Sequence, residues 1–216
     1  MSSYRTFIAI EIPPDIRRRI KEHIDQLRAA FPDVRASWTR EDNLHLTLRF
    51  LGDVTIANIP ALSNAVAEAT HEINPFDLTV RGCGTFPPHG RPKVLWIGCA
   101  DIPSASHSLD AGSAGFQPAS SLSSLPLALS SLHAALEDRC AAAGFEREPR
   151  PFHPHLTIAR LRESRGSRAL AEHHKQLGFP AQTFTVSELV VFRSELSSKG
   201  SKHTALARHR MESSFH

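Results

Sequence analysis

Two tetrads, His45-Leu46-Thr47-Leu48 and His155-Leu156-Thr157-Ile158, carry the residue types that proton-transfer chemistry needs. In an extended strand side chains alternate between faces, so a histidine and a threonine two apart share one face and the intervening aliphatics share the other. Each tetrad therefore presents an imidazole and a hydroxyl on a wet face and turns Leu46, Leu48, Leu156 and Ile158 toward a core. Two such strands lining one groove would gather two imidazoles and two hydroxyls. That set suits phosphodiester chemistry: one imidazole takes a proton, the other gives one, and Thr47 and Thr157 donate hydrogen bonds to phosphate oxygens. A solitary His-x-Thr is explained equally well by an ordinary half-buried strand. The chain has thirteen histidines, and only these two are followed two places on by threonine. The recurrence carries the signal.

Arg49 shares parity with His45 and Thr47, which makes it a candidate substrate-binding cation; Phe50 has core parity. Strict alternation turns Arg160 away from His155, so Arg160 reaches substrate only if a bulge or strand end near Ala159 re-aims it. His153 shares parity with His155 and is expected to be a bystander. No cluster of carboxylates is visible that would hold a metal, and two imidazoles need none for this chemistry. Cys83, Cys99 and Cys140 are too few and too scattered for a disulfide framework or a zinc site. No metal or cofactor is expected.

The elements that must position these residues follow from periodicity. Phe7 to Ile12 reads as a buried strand ended by Pro13-Pro14, and Ile16, Ile20, Ile24, Leu27 and Phe31 recur at helical spacing. The other face of that helix carries Arg17, Arg18, Lys21 and Arg28, an ordinary solvated surface. A short strand over 34–38 leads to the first tetrad strand, closed at Leu51-Gly52-Asp53. A second helix is expected over 56–73, strands over 76–80 and 94–99, and between them a Gly- and Pro-rich loop at 82–92. Residues 101–126, rich in Ser, Ala, Gly and Pro, form a low-complexity stretch too polar to pack a core, expected as a flexible surface insertion. Leu125 to Cys140 has a helical stripe, with Gly144 as its cap. The second tetrad strand, a helix over 161–177, a strand over 184–192, a turn at 199–201 and a strand over 203–210 complete the chain. This is an α+β pattern with an internal duplication, each half contributing one tetrad strand.

The 216 residues suffice for one domain of two packed lobes, and 41% hydrophobic with 22% charged residues is ordinary for a soluble globular chain. A net charge of +3 tolerates a polyanionic substrate without arguing for one. No apolar run approaches a membrane span and the N-terminus lacks a secretory core, so a cytoplasmic protein is expected, with no membrane partner.

These residues resemble the 2H phosphoesterases, and within them the bacterial RNA 2',3'-cyclic phosphodiesterases, historically called 2'-5' RNA ligases. The likeness extends to Tyr4 to Ile10, to Trp38-Thr39 with Asn43 to Gly52, to Phe86-Pro87 with Val94 to Gly98, to Pro154 to Arg160 and to Leu189 to Gly200. It implies a duplicated, two-lobed arrangement of antiparallel sheets with flanking helices around a central groove. It implies metal-independent hydrolysis of 2',3'-cyclic phosphate ends to 2'-phosphates, with His45 as proton donor and His155 as acceptor. Arg160 falls where the family often places a phosphate-contacting arginine, and His203 stands where a tyrosine is common. The expected partners are RNA with 2',3'-cyclic phosphate ends or small cyclic phosphodiesters, bound by a monomer. Three alternatives stay open: joining of RNA ends through 2'-5' linkages, another cyclic phosphodiester such as ADP-ribose 1'',2''-cyclic phosphate, and an RNA-binding module without turnover.

Overall fold

Phe7-Ile8-Ala9-Ile10 is apolar on both faces, and it becomes the buried centre of strand β1 (Ser3–Glu11), which has neighbours on both sides. The computed structural model describes residues 2–100, 127–197 and 200–212. Pro14 opens helix α1 (Pro14–Ala30), where its missing N–H costs no helical bond. Ile16, Ile20, Ile24 and Leu27 form the buried stripe of α1, as their spacing dictates. Strand β2 (Ala36–Trp38) and a 3-10 turn at Glu41–Asn43 lead into β3 (His45–Thr55), the first tetrad strand. Helix α2 (Ile59–His71) precedes strands β4 (Phe76–Phe86) and β5 (Val94–Ala100). Helix α3 (Leu127–Ala142), strand β6 (His155–Leu161) with the second tetrad, helix α4 (Ser167–Leu177) and strands β7 (Gln182–Val186), β8 (Glu188–Ser197) and β9 (Gly200–Arg210) follow.

The strands form two antiparallel sheets, ordered β3-β1-β8-β9 and β2-β6-β5-β4-β7. A common pattern runs through both: β1, α1 and β3 in one, β5, α3 and β6 in the other, each tetrad strand pairing with the strand before its helix. Leu46, Leu48, Leu156 and Ile158 sit in the main core with the helical stripes, so the helices cover one face of the sheets and leave the other to the tetrads' polar residues.

Several boundaries depart from the sequence reading: β3, expected to close at Leu51-Gly52-Asp53, runs on to Thr55, and β9 begins at Gly200, within the expected turn. Strand β4 runs on to Phe86 because a bulge at Gly82, with φ of 69°, lets the ladder continue through a residue expected to start a loop. Helix α4 starts at Ser167, after Gly166, since β6 pairs as far as Leu161. The strand expected over 184–192 is two strands in different sheets, broken at Ser187, where the chain crosses from one sheet to the other. The stretch 101–126, expected as an insertion between β5 and α3, lies outside the described residues. Among the described residues no helix is long and apolar enough to cross a membrane.

Candidate active site

Both tetrad histidines are oriented by the same local device. His45 Nδ1 lies 2.6 Å from the carbonyl oxygen of Asn43, and His155 Nδ1 lies 2.6 Å from that of His153. A carbonyl only accepts, so Nδ1 carries the proton in both rings and donates it to the backbone two residues earlier. Among the described residues Nε2 of each ring makes no internal hydrogen bond. The Nδ1 bond fixes tautomer and ring direction together.

The strands that carry these rings adjoin. β3 is an edge strand and runs against β6 where the two sheets meet. The segment between β2 and β3 is fastened to both sheets: Thr39 Oγ1 donates to the Thr157 carbonyl at 2.8 Å, and Asn43 Nδ2 donates to the Ser201 carbonyl on β9 at 2.8 Å. The Asn43 that orients His45 thus lies in a segment fastened to the second tetrad strand as well. Thr47 and Thr157 are half-buried, and among the described residues neither hydroxyl is spent on an internal hydrogen bond.

Each imidazole stands among aromatic rings. His45 is 4.8 Å from Phe7, 5.1 Å edge-on from His203 and 6.3 Å from Phe192, ring centre to ring centre. Phe7, Ala9, Val190 and Phe192 make a small apolar cluster of their own, separate from the main core. His155 is 4.9 Å edge-on from Phe86 and 6.5 Å from Trp96. The Trp96 indole covers Gly84 on the neighbouring strand so closely that a Cβ there would fall 2.1 Å from the ring, which is why this position has no side chain. A cavity of about 160 Å³ beside His45 is lined by Phe192, His203, Ala205 and Arg208 among others.

These surroundings set the charge states. Burial, and then the neighbouring His203, push the pKa of His45 down to about 4 against the pull of its Asn43 bond and of Glu11. Burial also lowers His155; the His153 carbonyl opposes this and Arg160 adds to it. Both imidazoles are therefore neutral at neutral pH before substrate arrives.

A bulge in each tetrad strand decides where the arginines go. In β3 the register passes from Ala9↔Thr47 to Ile8↔Arg49, so Leu48 is the extra residue. In β6 it passes from Trp96↔Thr157 to Leu95↔Ala159, so Ile158 is the extra residue. After the bulge the alternation is reversed. Arg160 is consequently exposed and close enough to influence the charge of His155. Its equivalent on β3 is Phe50, which is 50% exposed with its ring 5.9 Å from Phe7. Arg49 is the correction: parity put it beside substrate, but it is 2% exposed in the core. There it pairs with Glu137 of α3 at 3.3 Å and donates to the carbonyls of Phe145 and Glu146. The reading of Phe50 as a core residue fails for the same reason.

Sequence reasoning missed the aromatic surround and the role of Thr39 and Asn43 as fasteners. Phe7 and Phe192 belong to continuous apolar runs whose parity is unreadable without the pairing register. His203, noted only as a departure from a family pattern, proves to be a direct neighbour of His45.

The model of the LigT-like phosphoesterase family matches residues 10–96 and 123–202. An RNA 2',3'-cyclic phosphodiesterase of Methanothermobacter thermautotrophicus is 28% identical over 93% of this chain and 95% of its own length. One from Escherichia coli is 31% identical over 72% of this chain and 71% of its own. Among solved structures, E. coli LigT complexed with 3'-AMP superposes with a TM-score of 0.65 and 27% identity, covering 98% of this chain and all of that one.

Proposed function

We infer that this chain, which belongs to the LigT-like phosphoesterase family, hydrolyses RNA 2',3'-cyclic phosphodiester ends to 2'-phosphomonoesters with two histidines and no metal. The observation that carries this reading is the paired orientation of His45 and His155, each with Nδ1 tied to a carbonyl and Nε2 free, on adjoining strands. Relatives named as RNA 2',3'-cyclic phosphodiesterases along most of the chain support the substrate class.

In this mechanism the cyclic phosphate sits between the two Nε2 atoms. His155 Nε2 takes a proton from water as the oxygen attacks phosphorus. The bond from phosphorus to the ribose 3'-oxygen breaks on the opposite side, and His45 Nε2 gives its proton to that oxygen. The Thr47 and Thr157 hydroxyls and the Arg160 guanidinium hold the non-bridging oxygens, where charge accumulates. His45 must be protonated for its part, yet burial and His203 hold it neutral in the free protein. The phosphate anion itself supplies the remedy, because a negative charge within a few ångströms favours the imidazolium. Proton uptake therefore accompanies substrate binding.

A pH dependence follows with a definite sign. The base must be neutral and the acid protonated, so kcat/KM rises through one pKa and falls through the other. Both histidines lie below their ordinary 6.5 in the free protein, which places the maximum of kcat/KM below pH 6.5. The bound phosphate raises the pKa of the acid, so the maximum of kcat falls at higher pH than that of kcat/KM. Initial rates from about pH 4 to 8 check both positions; coincident maxima above 6.5 would contradict the electrostatics.

Arg160→Ala removes one charge-assisted hydrogen bond to phosphate, and kcat/KM is expected to fall by about 10- to 150-fold. The pH maximum should move upward, since Arg160 lowers His155. The reading as a whole is tested by incubating the protein with a 2',3'-cyclic-phosphate oligonucleotide in EDTA and following phosphorus by NMR. A 2'-phosphomonoester is the expected product. Binding without turnover would favour an RNA-binding module, and loss of turnover in EDTA would overturn the metal-free chemistry.

A further inference from the structure

On the helix-covered side of the second sheet, three side chains from three separate elements converge: His23 of α1, His174 of α4 and Cys83 of β4. Their ligand atoms all lie within 4.8 Å of one another. His23 Nε2 is 2.9 Å from His174 Nδ1, and Cys83 Sγ is 3.9 Å from His23 Nε2. We propose that these three residues form a site for a tetrahedral divalent cation of zinc type, fastening α1 and α4 to β4.

The donor set suits such an ion. Two imidazole nitrogens and a thiolate are borderline-soft ligands, the combination that selects zinc over magnesium or calcium. With metal–nitrogen bonds of about 2.0–2.1 Å and a metal–sulfur bond of about 2.3 Å, the edges of a tetrahedron come to about 3.3 Å between nitrogens and about 3.6 Å from nitrogen to sulfur. The two histidine nitrogens must separate by about 0.4 Å and the Cys83–His23 pair close by about 0.3 Å, while Cys83 Sγ, which lies within 4.8 Å of both nitrogens, must draw in to about 3.6 Å from His174 Nδ1. His174 is already equipped as a ligand: its Nε2 donates to the Trp96 carbonyl at 3.0 Å, which leaves Nδ1 with its lone pair toward the other two residues.

A hydrogen-bonded histidine pair accounts for only part of the arrangement. With Nδ1 of His174 accepting, His23 Nε2 must donate to it, and His23 then has no lone pair to offer the Cys83 thiol on that side. The thiol gains no acceptor there. A cation resolves this, since His23 shifts its proton to Nδ1, the thiol loses its proton to solvent, and all three lone pairs meet the ion. The bulge at Gly82 re-aims the strand directly before Cys83. Cys83 is only half-buried, so an ion can enter and a water can take the fourth position.

Titration of the full chain with cobalt(II) tests the site, because thiolate ligation gives a sulfur-to-cobalt charge-transfer absorption that imidazole or carboxylate binding does not. One equivalent is expected to produce that absorption, and zinc is expected to abolish it and to raise the unfolding midpoint by several degrees. Cys83→Ser and His23→Gln should each lose the absorption and the zinc-dependent rise, whereas Cys99→Ser should keep both. No thiolate absorption at stoichiometric cobalt, or absorption undiminished in Cys83→Ser, would overturn the proposal. EDTA would strip this site too, so turnover is also measured in Cys83→Ser, which keeps His45 and His155: activity of that variant that EDTA then abolishes puts a metal in the chemistry, whereas wild-type loss in EDTA matched by Cys83→Ser without EDTA belongs to this site.

Discussion

Replacing His45 or His155 by alanine is expected to lower kcat by about 10²- to 10⁴-fold each, the worth of one positioned proton transfer. The double variant should lose far less than the product of the two. Groups that act together in one displacement fail together, and removing the second adds little once the first is gone. Both rings are partly enclosed by aromatic neighbours, so the truncations leave modest hollows on the solvent-facing side of the sheets, and the fold should survive. Rates of the two single variants and the double variant on a 2',3'-cyclic-phosphate dinucleotide, with circular dichroism as a control, check this. Near-normal turnover in either single variant would refute the paired mechanism.

Arg49→Ala is expected to act in the opposite way, on stability rather than on chemistry. The Arg49 side chain is 1% exposed and that of its Glu137 partner 10% exposed. Truncating one member of a buried ion pair leaves the other charge without compensation, at a cost of about 3–5 kcal/mol. For a chain of this length that lowers the unfolding midpoint by about 10 °C. Arg49 also donates to the Phe145 and Glu146 carbonyls, so it anchors the loop that leads toward the second tetrad. The paired replacement Arg49→Met with Glu137→Leu should cost less than Arg49→Ala alone, since no charge is then stranded. Measured well below its melting transition, Arg49→Ala should keep its KM for substrate within a few-fold. A KM raised by an order of magnitude or more with an unchanged midpoint would return Arg49 to the phosphate.

The contrast between Arg49 and Arg160 shows how far sequence carries and where it stops. Alternation places His45, Thr47, His155 and Thr157 on one face and their aliphatic neighbours in the core, and the burial of Leu46, Leu48, Leu156 and Ile158 agrees. Alternation holds only until the first bulge. An extra residue after each tetrad's threonine, Leu48 and Ile158, reverses the alternation that directly follows, and in β3 a second one at Leu51 reverses it again. A bulge is set by how a strand pairs with its neighbour, which the strand's own sequence does not state. The same limit explains the break at Ser187: Val186 and Leu189 are both buried apolar residues, and nothing local says that they belong to different sheets. Residues assembled from distant elements are hidden for a related reason. His23, Cys83 and His174 have no mutual spacing that a ligand pattern would reveal, and three scattered cysteines give no sign of a zinc site.

The helical stripes, by contrast, were legible from periodicity alone, because a helix's face is fixed by its internal geometry. Ile16, Ile20, Ile24 and Leu27 are buried as their spacing requires.

The central claim, that the two imidazoles do opposite proton work on one phosphate, is tested most directly by replacing the departing 3'-oxygen of the cyclic substrate with sulfur. Sulfur leaves without needing a proton, so a variant lacking the proton donor should regain most of the lost rate while one lacking the acceptor should not. The mechanism predicts that His45→Ala is rescued by this substrate and His155→Ala is left slow. Rescue of both variants, or of neither, would contradict it.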